Sequence, residues 1–209
     1  MFFYKNGDDR MSGKVKFTRE DGNDFYTGTI EHVPGKTITA PDFNPEPCRG
    51  GGLHFGTPEA VIRGVPIPGK VFEVEPVGKV IEIEPGIKKA QTLRVIRELD
   101  FPRLLSELAN NQSSYVRQEA AWNPNTPEKI LSGLAEDGDW WVRRAVAGNP
   151  SISEKILSEL ANNHSSFVRI EVARNPNTPE RILLKLTKQL NWWVRRAAFE
   201  MLKNNTRTN

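Results

Sequence analysis

The hydrophobic positions change their period near residue 100. Before it they alternate with polar ones over short stretches, the pattern of half-buried strands. These stretches are Lys14–Thr18, Phe25–Ile30, Lys36–Thr39, Leu53–Phe55, Lys70–Glu75 and Lys79–Glu84. Turns at Pro34-Gly35, Pro68-Gly69 and Pro85-Gly86 separate them. Thr57, Pro58 and Glu59 predict the start of a short helix, with proline at its first position and an acid in its first turn. Gln91–Glu98, carrying Leu93, Val95 and Ile96, reads equally as a strand or a helix. Residues 1–99 are expected to form a small β-rich α+β domain.

From Asp100 onward the pattern repeats every 26 residues. Val116-Arg117, Val142-Arg143, Val168-Arg169 and Val194-Arg195 keep that step, as do Leu108, Leu134, Leu160 and Leu186. A fixed period of this length marks stacked repeats. In the unit around Thr126, the threonine precedes Pro127 and Glu128, and Ile130, Leu131 and Leu134 follow as an apolar stripe. That predicts a helix with Thr126 as its N-cap, and Asp100 and Thr178 hold equivalent positions. A second helix is expected to start after Ser113, Asp139, Ser165 or Asn191 and to stop at Asn123-Pro124, Asn149-Pro150 or Asn175-Pro176. In the last unit Met201-Leu202 replaces the Asn-Pro pair. The second helices begin SSYVR, DWWVR, SSFVR and NWWVR, so a pair of units is itself repeated. The expected class is α+β: a β-rich domain over 1–99, a right-handed α-solenoid of four 26-residue repeats over 100–203, and a polar tail over 204–209.

Composition narrows this only a little. The apolar content of 37% and charged content of 26% describe a globular chain, and no run is long enough to span a membrane. MFFYKNGDDR is not expected to act as a secretory signal. Cys48 is the only cysteine, which excludes an internal disulfide and predicts a reducing, cytoplasmic setting. Residues 103–209 carry 15 Lys+Arg against 11 Asp+Glu, whereas residues 1–102 carry 14 against 15. The mildly basic half permits an acidic partner without requiring one.

VRRAVAGNPSISEKIL and VRIEVARNPNTPERIL resemble the leucine-rich-repeat-variant family. The resemblance covers about half the chain and implies short and longer helices alternating in a right-handed superhelix, HEAT- and armadillo-like, that serves as a scaffold or binding surface. Some members carry an iron–sulfur cluster on a cysteine-rich segment, but one cysteine far from the repeats cannot hold it. In the front half, YKNG, DFYTGTI, VPGKTITAPDF, GGLHFGTPEAV and GKVFEVEP resemble an uncharacterised domain found in phage and bacterial proteins. The order PGK, APDF, GGLHFGTPEA, EVEP is also similar to an ADP-ribosyltransferase core, which would make Glu82 or Glu84 the catalytic acid. The remaining motifs of that enzyme class have no match here.

Several side chains are candidates for a site. Arg117, Arg143, Arg169 and Arg195 form one column, and packed units would set them roughly 8–10 Å apart. Such a row suits phosphates or a carboxylate-rich peptide. The preferred reading is structural, an internal ladder with Glu128, Glu154 and Glu180. Arg144 and Arg196 share a column with Gln118 and Ile170, which predicts exposure and makes them the better ligand contacts. Tyr115, Trp141, Phe167 and Trp193 form an all-aromatic column, read as core. Trp140 and Trp192 alternate with Ser114 and Ser166, as interdigitating layers do; exposed, they would anchor a protein or stacked bases. Trp122, in a column with Gly148, Arg174 and Glu200, is expected on the surface.

In the front half Glu73, Glu75, Glu82 and Glu84 are expected on one strand face, relieved by Lys70, Lys79, Lys88 and Lys89. Cys48, His54 and His32 are too few and too poorly spaced for zinc. The glycines between Cys48 and His54 offer free amides for an anion or serve a tight turn.

The function expected from these features is a non-enzymatic interaction protein that binds a macromolecule along its helical half. A protein is the first expected partner and nucleic acid the second; no cofactor, metal or membrane is implied. The alternative is a divergent ADP-ribosyltransferase-like enzyme whose helical half delivers the target. A DNA-repair reading would need Glu119 or Glu171 as a pocket acid.

Overall fold

The computed structural model describes residues 15–17, 30–41, 43, 52–58 and 70–206. Within them the alternating segments become five strands: β1 (Val15–Phe17), β2 (Thr37–Thr39), β3 (Leu53–Gly56), β4 (Val71–Glu84) and β5 (Ile87–Leu99). All pairings are antiparallel, in the order β2-β5-β3-β1-β4, and β4 also pairs with β5 along its length. The ladder therefore returns to itself through β5, β3, β1 and β4. The predicted strand before Ile30, the Pro68-Gly69 turn, the helix beyond Pro58, and Cys48, Gly50 and Gly51 lie outside the described residues.

The two strands expected at Lys70–Glu75 and Lys79–Glu84 are a single 14-residue strand. Gly78 takes φ 82°, a value costly for other residues. The register with β5 shifts between Val77 and Val80, so the glycine makes a bulge rather than a turn. Chain reversal waits for Pro85-Gly86, where Gly86 has φ 85°. Gln91–Glu98, undecided from sequence, falls inside β5. Ile38, Leu53, Phe55, Phe72, Val74, Ala90, Leu93 and Val95 form the core of this sheet. Two acids of β4 meet arginines of β5: Arg97 Nε donates to Glu73 at 2.7 Å and Arg94 pairs with Glu75 at 2.9 Å. Glu82 and Glu84 are exposed.

After β5 come eight helices between Phe101 and Asn205: α1 (Phe101–Ala109), α2 (Ser114–Trp122), α3 (Glu128–Leu134), α4 (Trp140–Gly148), α5 (Glu154–Leu160), α6 (Ser166–Arg174), α7 (Glu180–Leu186) and α8 (Trp192–Asn205). The chain divides into two compact units, Met1–Leu104 and Leu105–Asn209.

The class is thus mixed α+β, and the expectation of a right-handed α-solenoid of four 26-residue repeats is corrected. Two physical differences explain why an unbroken sequence period did not give four equal units. The boundary between the compact units falls inside α1, so the first period is not an intact member of the helical unit. In the last period the Asn-Pro stop is missing, and α8 runs for 14 residues where α2, α4 and α6 have nine. Within the helical unit α2 packs on α4, α4 on α6 and α6 on α8. Val116, Ala120 and Ala121 of α2, and Val142, Ala145, Val146 and Ala147 of α4, are buried there.

Candidate functional site

The repeated spacing of polar residues in the helical unit resolves into two sets of backbone contacts. Arg117 Nη1 donates to the carbonyls of Asn111 and Gln112, and Arg143 Nη1 to those of Asp137 and Gly138. Arg169 and Arg195 do the same to Asn163 and His164, and to Gln189 and Leu190. Each arginine thus binds carbonyls in the loop just before its own helix, groups that lack helical partners. The column is structural, as preferred, but the expected glutamates are not its partners. Glu154 pairs instead with Arg181.

Among the described residues, Arg117 alone of the four has an acid as well. Its Nε donates to Asp137 Oδ2 at 2.6 Å and its Nη2 to Oδ1 at 2.9 Å. The Arg117 hydrogen bond holds the Asp137 carboxyl below the usual carboxylate range, against the opposing effect of burial. The same hydrogen bond raises Arg117 further.

The second set was missed from sequence. Asn149 Nδ2 donates to the carbonyls of Ala121 at 2.7 Å and Asn123 at 2.8 Å, and Asn175 Nδ2 to Ala147 and Asn149. Their Oδ1 atoms accept from the backbone of Ser151 and Asn177. Read as a helix stop, the Asn-Pro pairs drew attention to the proline alone, yet the asparagine is the buried member. Its invariance across three periods was the available signal. Thr126 and Thr178 are also not the N-caps expected. Their hydroxyls donate back to Ala120 and Val172 of the preceding helix, and Pro127 and Pro179 take the cap position.

With these residues committed to the scaffold, the exposed groups stand out. The aromatic column expected in the core is on the surface: Tyr115 is 46% exposed, Trp141 46%, Phe167 55% and Trp193 61%. Each is the second residue of α2, α4, α6 or α8, beside the buried valine that follows it. Trp140 stacks on Trp141 with centroids 4.0 Å apart and on Phe167 at 4.9 Å, which joins α4 to α6 through their side chains. Trp192, also exposed, meets Trp193 edge-on at 4.7 Å. The first turns that carry the tryptophan pairs are pinned by their caps. Asp139 accepts from the Trp141 amide, and Asn191 from those of Trp193 and Val194, whereas Ser113 and Ser165 make no such bond.

Arg144 and Arg196 belong to this surface without being open cations. The Arg144 guanidinium lies 5.6 Å from the Trp141 ring centre, and its Nε donates to Glu171 at 2.9 Å. The Arg196 guanidinium lies 5.3 Å from Trp192, and its Nε donates to Glu200 at 2.7 Å. Trp122, partly exposed, lies over Gly148, where an added Cβ would sit 2.5 Å from its Cη2.

The sequence-predicted residues therefore fall into two groups. Arg117, Arg143, Arg169 and Arg195 are spent on carbonyls, while Trp140, Trp192, Arg144 and Arg196 join the exposed aromatic column. In the sheet unit, Lys16 Nζ donates to the His54 carbonyl, and His32 is buried with its ring 5.8 Å from that of Phe72. Among the described residues no cluster of three or more His, Cys, Asp or Glu can hold a metal, and no helix is long and apolar enough to cross a membrane. No protein-family model matches the chain, and no curated protein matches it.

Proposed function

We propose that the helical unit is a non-enzymatic protein-binding module whose contact surface is the aromatic column of Tyr115, Trp141, Phe167 and Trp193. The observation that carries this reading is the exposure of all four, at equivalent positions of α2, α4, α6 and α8. Large exposed aromatic surface is costly in water and is the usual anchor of protein interfaces. The rings are rigid and partly preorganised by stacking, so little ordering entropy is lost on binding.

Protein is favoured over nucleic acid because the cations beside the rings are already committed. A phosphate backbone needs available Lys or Arg, whereas Arg144 and Arg196 are neutralised by Glu171 and Glu200. The resemblance to leucine-rich-repeat-variant proteins supports the same role. With Cys48 as its only cysteine, the chain suits a reducing, cytoplasmic setting.

The test is selection of a displayed random-peptide library on the full chain, followed by fluorescence anisotropy with the enriched peptides. Binding weakened about tenfold or more by Trp141→Ala or Phe167→Ala is expected. Peptides indifferent to both substitutions, or salt-sensitive binding of single-stranded oligonucleotides in their place, would refute the proposal.

A further inference from the structure

Charge is not spread evenly through the helical unit. Residues 105–180 hold 7 Lys+Arg against 10 Asp+Glu, whereas residues 181–206 hold 6 against 1. The same short stretch becomes apolar where earlier periods are small or polar. Leu184 stands in the column of Ser106, Ser132 and Ser158; Leu190 in that of Gln112, Gly138 and His164; Phe199 in that of Ala121, Ala147 and Ala173. All three large residues are open to solvent, Leu184 at 47%, Leu190 at 98% and Phe199 at 57%. The three alanines are buried.

The cations follow the same rule. Lys185 replaces Glu107, Gly133 and Glu159; Lys188 replaces Asn110, Glu136 and Asn162; Lys203 replaces Asn125, Ser151 and Asn177. All three lysines are exposed. Lys185 Nζ donates to the Asn162 side chain, and no acid pairs with any of the three among the described residues. Six substitutions away from the repeated pattern, apolar and basic together, give this end of the helical unit a chemistry of its own.

We infer that α7, α8 and the loop between them dock an acidic segment of a partner protein that carries apolar anchors. This rests on the reading of the helical unit as a protein-binding module. The charge selects the partner: the net charge of +5 over residues 181–206 attracts carboxylates and repels a second copy of the same surface. Leucines offer no stacking to bases, so a nucleic acid would leave Leu184 and Leu190 uncovered. Leu184 and Phe199 are also about half sunk in the surface, which suits contact with side chains better than insertion among lipid tails.

The experiment uses the full chain and a fluorescein-labelled amphipathic peptide built from Glu, Leu and Phe, read by anisotropy. Controls are oligoglutamate of equal charge, a single-stranded oligonucleotide, and vesicles of phosphatidylserine and phosphatidylcholine. The variants restore residues that earlier periods already use: Leu190→Gln with Phe199→Ala, and Lys188→Glu with Lys203→Asn. Circular dichroism establishes that each folds, and Leu190→Gln or Lys188→Glu alone serves if a pair does not.

The inference predicts that the peptide binds more tightly than every control. Each variant weakens binding by about tenfold, and Trp141→Ala has less effect. Peptide binding unchanged by these variants, or no peptide binding, overturns the inference. Tighter binding of the oligonucleotide or the vesicles does the same. Loss confined to Trp141→Ala overturns it while leaving the aromatic column as a protein-binding surface.

Discussion

Arg117 grips Asp137 across 20 residues of sequence through two parallel hydrogen bonds, of 2.6 and 2.9 Å. The pair ties α2 to the loop before α4, and Asp137 also accepts from the Asp139 amide at 2.9 Å. A carboxyl held below its ordinary range stabilises the folded state above the unfolded value of about 4, and that contribution is lost as pH falls through the folded value. Asp137→Asn, which restores the residue found at 111 and 163, should cost about 1–2 kcal/mol at neutral pH. The difference from wild type should vanish in acid. Urea denaturation at several pH values measures it.

Arg169 occupies the place of Arg117 one pair of units later, but its Nε is buried without a hydrogen-bond partner among the described residues. Gln189 lies 20 residues on, where Asp137 lies from Arg117. Gln189→Asp should therefore stabilise the helical unit by about 1 kcal/mol through a charge-assisted bond. A rise in thermal midpoint is expected; a fall would show that the two loops differ in geometry.

Asn149 is wholly buried and bonds two carbonyls of the preceding turn. Asn149→Ala removes both donors and should cost about 2–3 kcal/mol, because buried carbonyls left unmatched are expensive. Asn149→Asp should cost more, since it sets a charge against the same oxygens. Chemical denaturation of both variants decides the order.

Gly148 and Trp122 predict a reversal of sign. Gly148→Ala in the wild-type chain drives a Cβ to within 2.5 Å of the indole and should destabilise. In a Trp122→Ala background only the Glu171 Cγ at 3.3 Å remains close, and once that side chain gives by a few tenths of an ångström the same substitution should stabilise α4 by about 0.5–1 kcal/mol through helix propensity. A double-mutant cycle measures the coupling.

Several of these contacts could be anticipated from sequence and others could not, for physical reasons. The 26-residue step located the arginine column, but its acceptors are backbone carbonyls, which every residue carries and no side-chain pattern reveals. The asparagines were visible as part of Asn-Pro, yet their buried role depends on the neighbouring turn that they meet. The aromatic column was misread although the signal was present. Val116 and Ala120 lie on the buried face of α2, and at about 100° per residue Tyr115 points away from it. In the sheet unit, alternation located the strands but not the bulge at Gly78, which joins two of them into one.

All five tryptophans of the chain, at 122, 140, 141, 192 and 193, belong to the helical unit. Their emission therefore reports directly on the surface proposed to bind protein. The decisive measurement is a tryptophan-fluorescence titration of the full chain with a tryptophan-free selected peptide. The account predicts a saturable blue shift as the rings leave water, abolished by Phe167→Ala combined with Trp193→Ala. Saturable binding of that peptide by anisotropy, with the emission unmoved and the double variant binding like wild type, would contradict it.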